Sequence, residues 1–163
     1  MVTYLGLGSN VGDRKTELQN AVASLGLRGI IVTRSASLYL TEPRGLVDQP
    51  WFLNTVVEAN TTLKPRELLE ACLAIERAAG RVRDLPQGPR PIDVDILLYD
   101  HEVVDAPDLT IPHPRYADRR FVLVPLVELQ PDLRDPLRNL TMRELLDICP
   151  DAGEVRVYAP PLR

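Results

Sequence analysis

Asp93 and Asp95 form the densest chemical signal in the chain, within the run Gly88-Pro89-Arg90-Pro91-Ile92-Asp93-Val94-Asp95-Ile96. On a strand, residues i and i+2 face the same way with α-carbons roughly 6–7 Å apart, so the two carboxylates can share or bracket a hard divalent cation. Ligation by oxygen alone suits magnesium. A bare Asp-x-Asp is more often a solvated strand face, but here apolar residues flank the pair and Arg81, Arg83 and Arg90 precede it on a loop rich in proline. Such an arm can close on a polyphosphate and offset charge in phosphoryl transfer.

Three other groups could carry chemistry. Gly6-Leu7-Gly8-Ser9-Asn10 lies between an apolar run and a helical pattern, a context that can deliver backbone amides to phosphate. The spacing fails the dinucleotide fingerprint, because Val11 stands where its third glycine would be and Ser35 to Leu40 holds no acidic residue. No Gly-Lys pair exists for a P-loop, and a tight turn capped by Asn10 or Asp13 is the simpler reading. His113, between Pro112 and Pro114, is a candidate donor to a nucleotide phosphate or ribose. Zinc is not expected, since His101, His113, Cys72 and Cys149 lack compact ligand spacing. In Asp48-Gln49-Pro50-Trp51-Phe52-Leu53-Asn54 an amide that could read a heterocycle edge adjoins aromatics that could stack on its face. Core packing of Trp51 or Phe52 is the plain alternative.

The elements that must position these groups follow from periodicity. Val2 to Leu7 reads as a strand, and Asp13 to Leu25 as a helix with Leu18, Ala21, Val22 and Leu25 on one face. Ile30 to Thr41 and Phe52 to Thr62 read as two strands joined by a long connection. Pro65 opens a second helix that Gly80 stops, and its face carries Leu68, Leu69, Cys72, Leu73, Ile75 and Ala79. Arg81 to Pro91 is a charged loop, and Ile92 to Tyr99 alternates as a strand with Asp93, Asp95, Leu97 and Tyr99 on one side. A hairpin over Glu102 to Ile111, a short buried element over Phe121 to Leu129, a helix opened by Thr141-Met142-Arg143-Glu144 and an edge strand over Glu154 to Tyr158 complete the chain. The order βαββαβ predicts an α+β, ferredoxin-like core, an antiparallel sheet with helices packed on one face and short C-terminal elements added.

With 163 residues, 45% of them apolar and 26% charged, the chain reads as one globular domain over 1–163. The net charge of −4 argues against a general nucleic-acid binder, while the arginine clusters suit a small polyanion. Two distant cysteines suggest a reducing, cytoplasmic setting. Neither a secretory signal nor a membrane span is expected from the apolar runs.

Taken together, Gly8-Ser9-Asn10, Gln49-Pro50-x-Phe52-Leu53-Asn54, Gly80-Arg81-Val82-Arg83, Gly88-Pro89-Arg90-x-x-Asp93-x-Asp95 and Pro112-His113-Pro114-Arg115 with Arg119-x-Phe121 resemble the 6-hydroxymethyl-7,8-dihydropterin pyrophosphokinases of folate biosynthesis. The resemblance implies transfer of diphosphate from ATP to the hydroxymethyl oxygen of the pterin, releasing AMP. It further implies two magnesium ions on Asp93 and Asp95, with Arg81 and Arg90 stabilising charge. Arg83, Ile96, Thr110, His113 and Arg119 would hold ATP, and Thr41, Glu42, Arg44 and Asn54 would read the pterin between Phe52 and Phe121. A monomer that binds neither nucleic acid nor membrane would suffice. The chain departs from the family's pattern at Gln87, where tryptophan is common, at Asp84, at Glu42 in place of a frequent proline, and at Pro114. A ferredoxin-like nucleic-acid module and a metal-dependent nucleotide hydrolase are the competing readings.

Overall fold

The computed structural model describes residues 1–43, 48–80 and 91–163. β1 (Val2–Ser9) leads through a turn into α1 (Arg14–Leu27), whose N-terminus is capped by the Asp13 carboxylate accepting the Thr16 N–H at 3.2 Å. Gly12 takes φ +73° in that turn, a conformation costly for any residue with a β-carbon. α1 buries Leu18, Ala21, Val22 and Leu25, as its spacing predicts.

The long strand expected over 30–41 is broken into β2 (Ile30–Ser35) and β3 (Leu38–Thr41), both antiparallel to β4 (Phe52–Thr61). At the break the Thr55 hydroxyl donates to the carbonyls of Ala36 and Ser37, each at 3.0 Å. α2 (Pro65–Ala78) begins with Pro65 at its first position and the Lys64 N–H on Glu67, and Gly80 follows it at φ +89°.

β5 (Asp93–Tyr99) then runs antiparallel to β1, so the sheet order is β5-β1-β4-β3, with β2 also on β4. The hairpin forms from β6 (Val104–Ala106) and β7 (Leu109–Ile111), and β8 (Val155–Ala159) adds to the edge at β3. Alternation on β5 holds only to Leu97. A register shift pairs Leu5 with Ile96 but Tyr4 with Leu98, so Leu97 and Leu98 both join the second core described below and Tyr99 turns to the first. A bulge has this effect because its extra residue reverses the faces beyond it.

Helices cover both faces of the sheet. α1 and α2 close a core with Leu5, Leu7, Leu53, Val57, Val94 and Ile96. The expectation of a single covered face fails because the run over 121–129 forms α3 (Arg120–Leu129), which packs with α4 (Met142–Asp147) over Tyr4, Tyr39, Val56 and Leu97. Pro125 inside α3 removes one rung of helical bonding. Thr141 and Glu144 make the reciprocal capping bonds foreseen for α4. No described helix is long and apolar enough to cross a membrane.

Candidate active site

The sheet register builds the site. Gly8 on β1 lies opposite Asp93 of β5 on one side and Asn54 of β4 on the other, while Gly6 lies opposite Asp95. Directly paired residues share a face, so two glycines form the floor between the carboxylates and the amide. The turn reading of Gly6 and Gly8 is therefore corrected: both belong to the strand, and the turn comes later, at Gly12. A β-carbon built on Gly8 would stand 2.2 Å from Asn54 Oδ1. Above the floor opens a cavity lined by Thr41, Glu42, Phe52, Asn54, Asp93, Asp95, His113, Arg119 and Phe121. Asn54 is held within it by one of its N–H groups, donated to Thr41 Oγ1 at 2.7 Å. The Arg119 guanidinium lies 5.8 Å from the centre of the Phe121 ring.

A second cavity lies along the outer edge of β5, between α2 and the hairpin. Its walls include Leu69, Leu73, Ile96, Pro107, Leu109 and Thr110, and it too reaches Asp93, Asp95 and His113. Those three side chains thus stand where the two cavities meet. The edge of β5 is closed there by side chain and loop: Glu76 of α2 accepts the Val94 N–H at 2.9 Å, and the His113 N–H reaches the Leu97 carbonyl at 2.9 Å.

Glu76, a buried carboxylate, escaped the sequence reading. One oxygen each from Glu76, Asp93 and Asp95 lie within 4.8 Å of one another, a set of hard oxygen donors able to hold a divalent cation. Its signal was present, since position 76 lies four residues after Cys72 and three before Ala79, on the apolar face of α2 where a charged residue has no reason to be unless it is used.

His113 is poised as a neutral donor. Burial, reinforced by Arg119 and Arg115 and opposed by Asp93, pushes its pKa down to about 4. The Arg115 N–H donates to Nδ1 at 3.1 Å, which leaves the ring proton on Nε2. The segment that bears His113 and Arg119 is anchored midway by the buried Tyr116, whose hydroxyl donates to Asp135. Asp135 also accepts the N–H groups of Leu137 and Arg138, each at 2.7 Å, and Arg138 Nη1 at 2.9 Å. Burial opposes its ionisation, yet Tyr116 and these donors together hold its carboxyl below the usual range.

The motif residues around the first cavity interlock. Asn10 does not cap α1; its Nδ2 donates to Gln49 Oε1 at 2.8 Å and to the Pro50 carbonyl at 3.0 Å, while Arg14 holds the Trp51 carbonyl at 2.8 Å. Phe52 is buried against the cavity, and Trp51 carries Arg156 over its ring. The structure thus brings Thr41, Glu42, Phe52, Asn54, Asp93, Asp95, His113, Arg119 and Phe121 to one cavity, and Ile96 and Thr110 to its neighbour. Arg44, Arg81, Arg83 and Arg90 lie outside the described residues.

The profile of the 7,8-dihydro-6-hydroxymethylpterin-pyrophosphokinase family matches residues 4–131. A 2-amino-4-hydroxy-6-hydroxymethyldihydropteridine pyrophosphokinase of Methylorubrum extorquens is 48% identical over 94% of this chain and 97% of its own length. The folic acid synthesis protein fol1 of Schizosaccharomyces pombe is 43% identical over 97% of the chain, which spans only 22% of that longer protein. Among solved structures, wild-type Plasmodium falciparum HPPK-DHPS has the same fold, with a TM-score of 0.71 at 16% identity over 90% of this chain and 42% of that one. By the match of its sequence over residues 4–131 and to full-length relatives, the chain belongs to the 7,8-dihydro-6-hydroxymethylpterin pyrophosphokinase family.

Proposed function

We propose that the two cavities bind the two substrates of the family's reaction and that Asp93, Asp95 and His113 mark where they react. The chain transfers the terminal diphosphate of ATP to the hydroxymethyl group of 6-hydroxymethyl-7,8-dihydropterin, giving the pterin diphosphate and AMP in folate synthesis. One observation carries the division of roles: the cavities share these three side chains and little else.

The first cavity takes the pterin. Phe52 and Phe121 flank its ring, and Asn54, fixed by Thr41, presents an amide to the heterocycle edge. Glu42 lies on the same rim, and Arg44 contributes to this reading through the family resemblance. ATP occupies the second cavity, with its base between the apolar walls from α2 and the hairpin and near the backbone of Ile96 and Thr110. His113 Nε2–H donates to a phosphate oxygen without adding charge, and Arg119 faces the phosphates from the pterin side.

Asp93 and Asp95, supported by Glu76, would hold magnesium, two ions by analogy with the family, and the oxygen-only donor set fits that ion. Magnesium would supply charge neutralisation on the triphosphate and orient the acceptor oxygen. That oxygen attacks the β-phosphorus, the bond from this phosphorus to the oxygen bridging it to the α-phosphorus breaks, and the hydroxyl proton is released. Positioning and charge complementarity dominate such a step, and Arg81, Arg83 and Arg90 are assigned to the phosphates on the family's pattern. We read the sheet as a ferredoxin-like core and residues 1–163 as one domain, since both cores share the sheet. A cytoplasmic monomer fits this reading and its free thiols.

The test is incubation with ATP, magnesium and the pterin, separating products by chromatography. AMP formed one-for-one with pterin diphosphate, and only with metal and pterin present, supports the reading. ADP, or phosphate release without pterin, overturns it in favour of a nucleotide hydrolase.

A further inference from the structure

We propose that Asp151 is a positioning residue for the pterin cavity, acting through the first turn of α3. That turn carries Arg119 and Phe121, yet it has no side-chain cap of its own and no acidic residue. Its missing cap comes from 31 residues away: Asp151 Oδ2 accepts the Arg120 N–H at 3.0 Å, while Oδ1 accepts the Gly153 N–H at 2.8 Å. An anionic acceptor at a helix N-terminus satisfies an orphan N–H and complements the helix dipole. Arg120 Nη1 returns a bond to the Gly153 carbonyl at 3.4 Å.

The same segment grips Glu42, which also lines the cavity. The Glu154 N–H donates to Glu42 Oε1 at 2.8 Å, and the Glu42 N–H donates to the Glu154 carbonyl at 3.4 Å. Residues 151–154 therefore tie the Glu42 rim to the Phe121 wall and fix the separation between them. They lie beyond the stretch matched by the family profile. The rest of α3 is held independently by Val122, Leu123 and Leu126 in the second core, so losing the Asp151 cap loosens one turn and leaves the helix in place.

The proposal rests on the reading of Phe121 as a wall of the pterin site, and the experiment separates the two. Steady-state kinetics are measured for Asp151→Ala, Asp151→Asn and Phe121→Ala, with thermal melts of each. Asp151→Ala should raise the KM for the pterin about five- to tenfold, the scale of a lost helix cap, with kcat and the KM for ATP within about twofold. Asp151→Asn keeps a single acceptor oxygen, enough for the Arg120 N–H but not for the Gly153 N–H as well, and should recover part of that loss. An unchanged pterin KM in Asp151→Ala overturns the proposal. A parallel change in kcat and both KM values, not rescued by asparagine, also overturns it and makes Asp151 merely structural. If Phe121→Ala binds the pterin normally, the pterin-site reading fails and the proposal with it.

Discussion

Gly8→Ala adds a single methyl group, and its consequence can be worked from the geometry. The new β-carbon would stand 2.2 Å from Asn54 Oδ1, with Asn54 Cγ at 3.4 Å and Phe52 Cδ1 at 3.5 Å. Relief requires the amide to retreat by about 1 Å, to an ordinary contact distance. Asn54 is not at liberty to do so, because it is buried and its Nδ2 is bonded to Thr41 Oγ1 at 2.7 Å. Overpacking of this kind costs about 1–3 kcal/mol, and breaking the buried hydrogen bond costs a comparable amount. The variant should therefore fold with a lowered melting temperature. Its pterin KM should rise far more than its ATP KM, because an error of about 1 Å at a recognition group can cost ~100-fold. Calorimetric titration of the pterin, beside steady-state kinetics with each substrate varied, reads both effects. A Gly8→Ala protein with wild-type pterin affinity would refute the assignment of Asn54 to the heterocycle edge.

Because burial and the flanking arginines hold His113 at about 4 in the folded chain against 6.5 for a free ring, the unfolded state binds more protons between those values. The contribution of His113 to stability is then complete above about pH 6.5 and is lost as pH falls towards 4, a difference of about 3 kcal/mol. Melts of wild type and His113→Gln over that range should diverge accordingly, and parallel curves would contradict the buried neutral ring. Glu76→Ala leaves the Val94 N–H without its acceptor and should cost about 1–3 kcal/mol. Glu76→Gln keeps an acceptor and should melt near wild type, yet both variants should need more magnesium for half-maximal activity; an unaltered magnesium requirement would remove Glu76 from the metal-binding set.

The parts of the fold written in local periodicity were legible. Leu18, Ala21, Val22 and Leu25 fix the inner face of α1, and Leu68, Cys72 and Ile75 that of α2. What was not legible depends on partners distant in sequence. The break at Ala36 and the bulge at Leu97 arise from pairing with β4 and β1, and the covering of the second face depends on where α3 docks. Of the residues gathered around the first cavity, Asp93, Asp95, Asn54 and His113 stood out in the sequence by type and spacing. The place of Gly8 in the cavity floor did not, because it depends on cross-strand neighbours, and Glu76 was overlooked because a carboxylate on an apolar helix face shows its partner only once β5 is beside it. Asn10 illustrates the same limit, since its partners Gln49 and Pro50 stand 39 and 40 residues away.

The most direct test of the central claim, that both substrates meet at Asp93 and Asp95, is single-turnover transfer by Asp95→Asn with pterin binding measured in parallel. The substitution keeps the shape of a half-buried strand residue and removes its charge. Transfer should fall by ~1,000-fold or more, the scale of losing a group that stabilises developing charge, while the pterin still binds within about threefold and the melting temperature holds. Transfer at the wild-type rate in a folded Asp95→Asn protein would contradict the account, because the junction of the two cavities would then not be where the diphosphate moves.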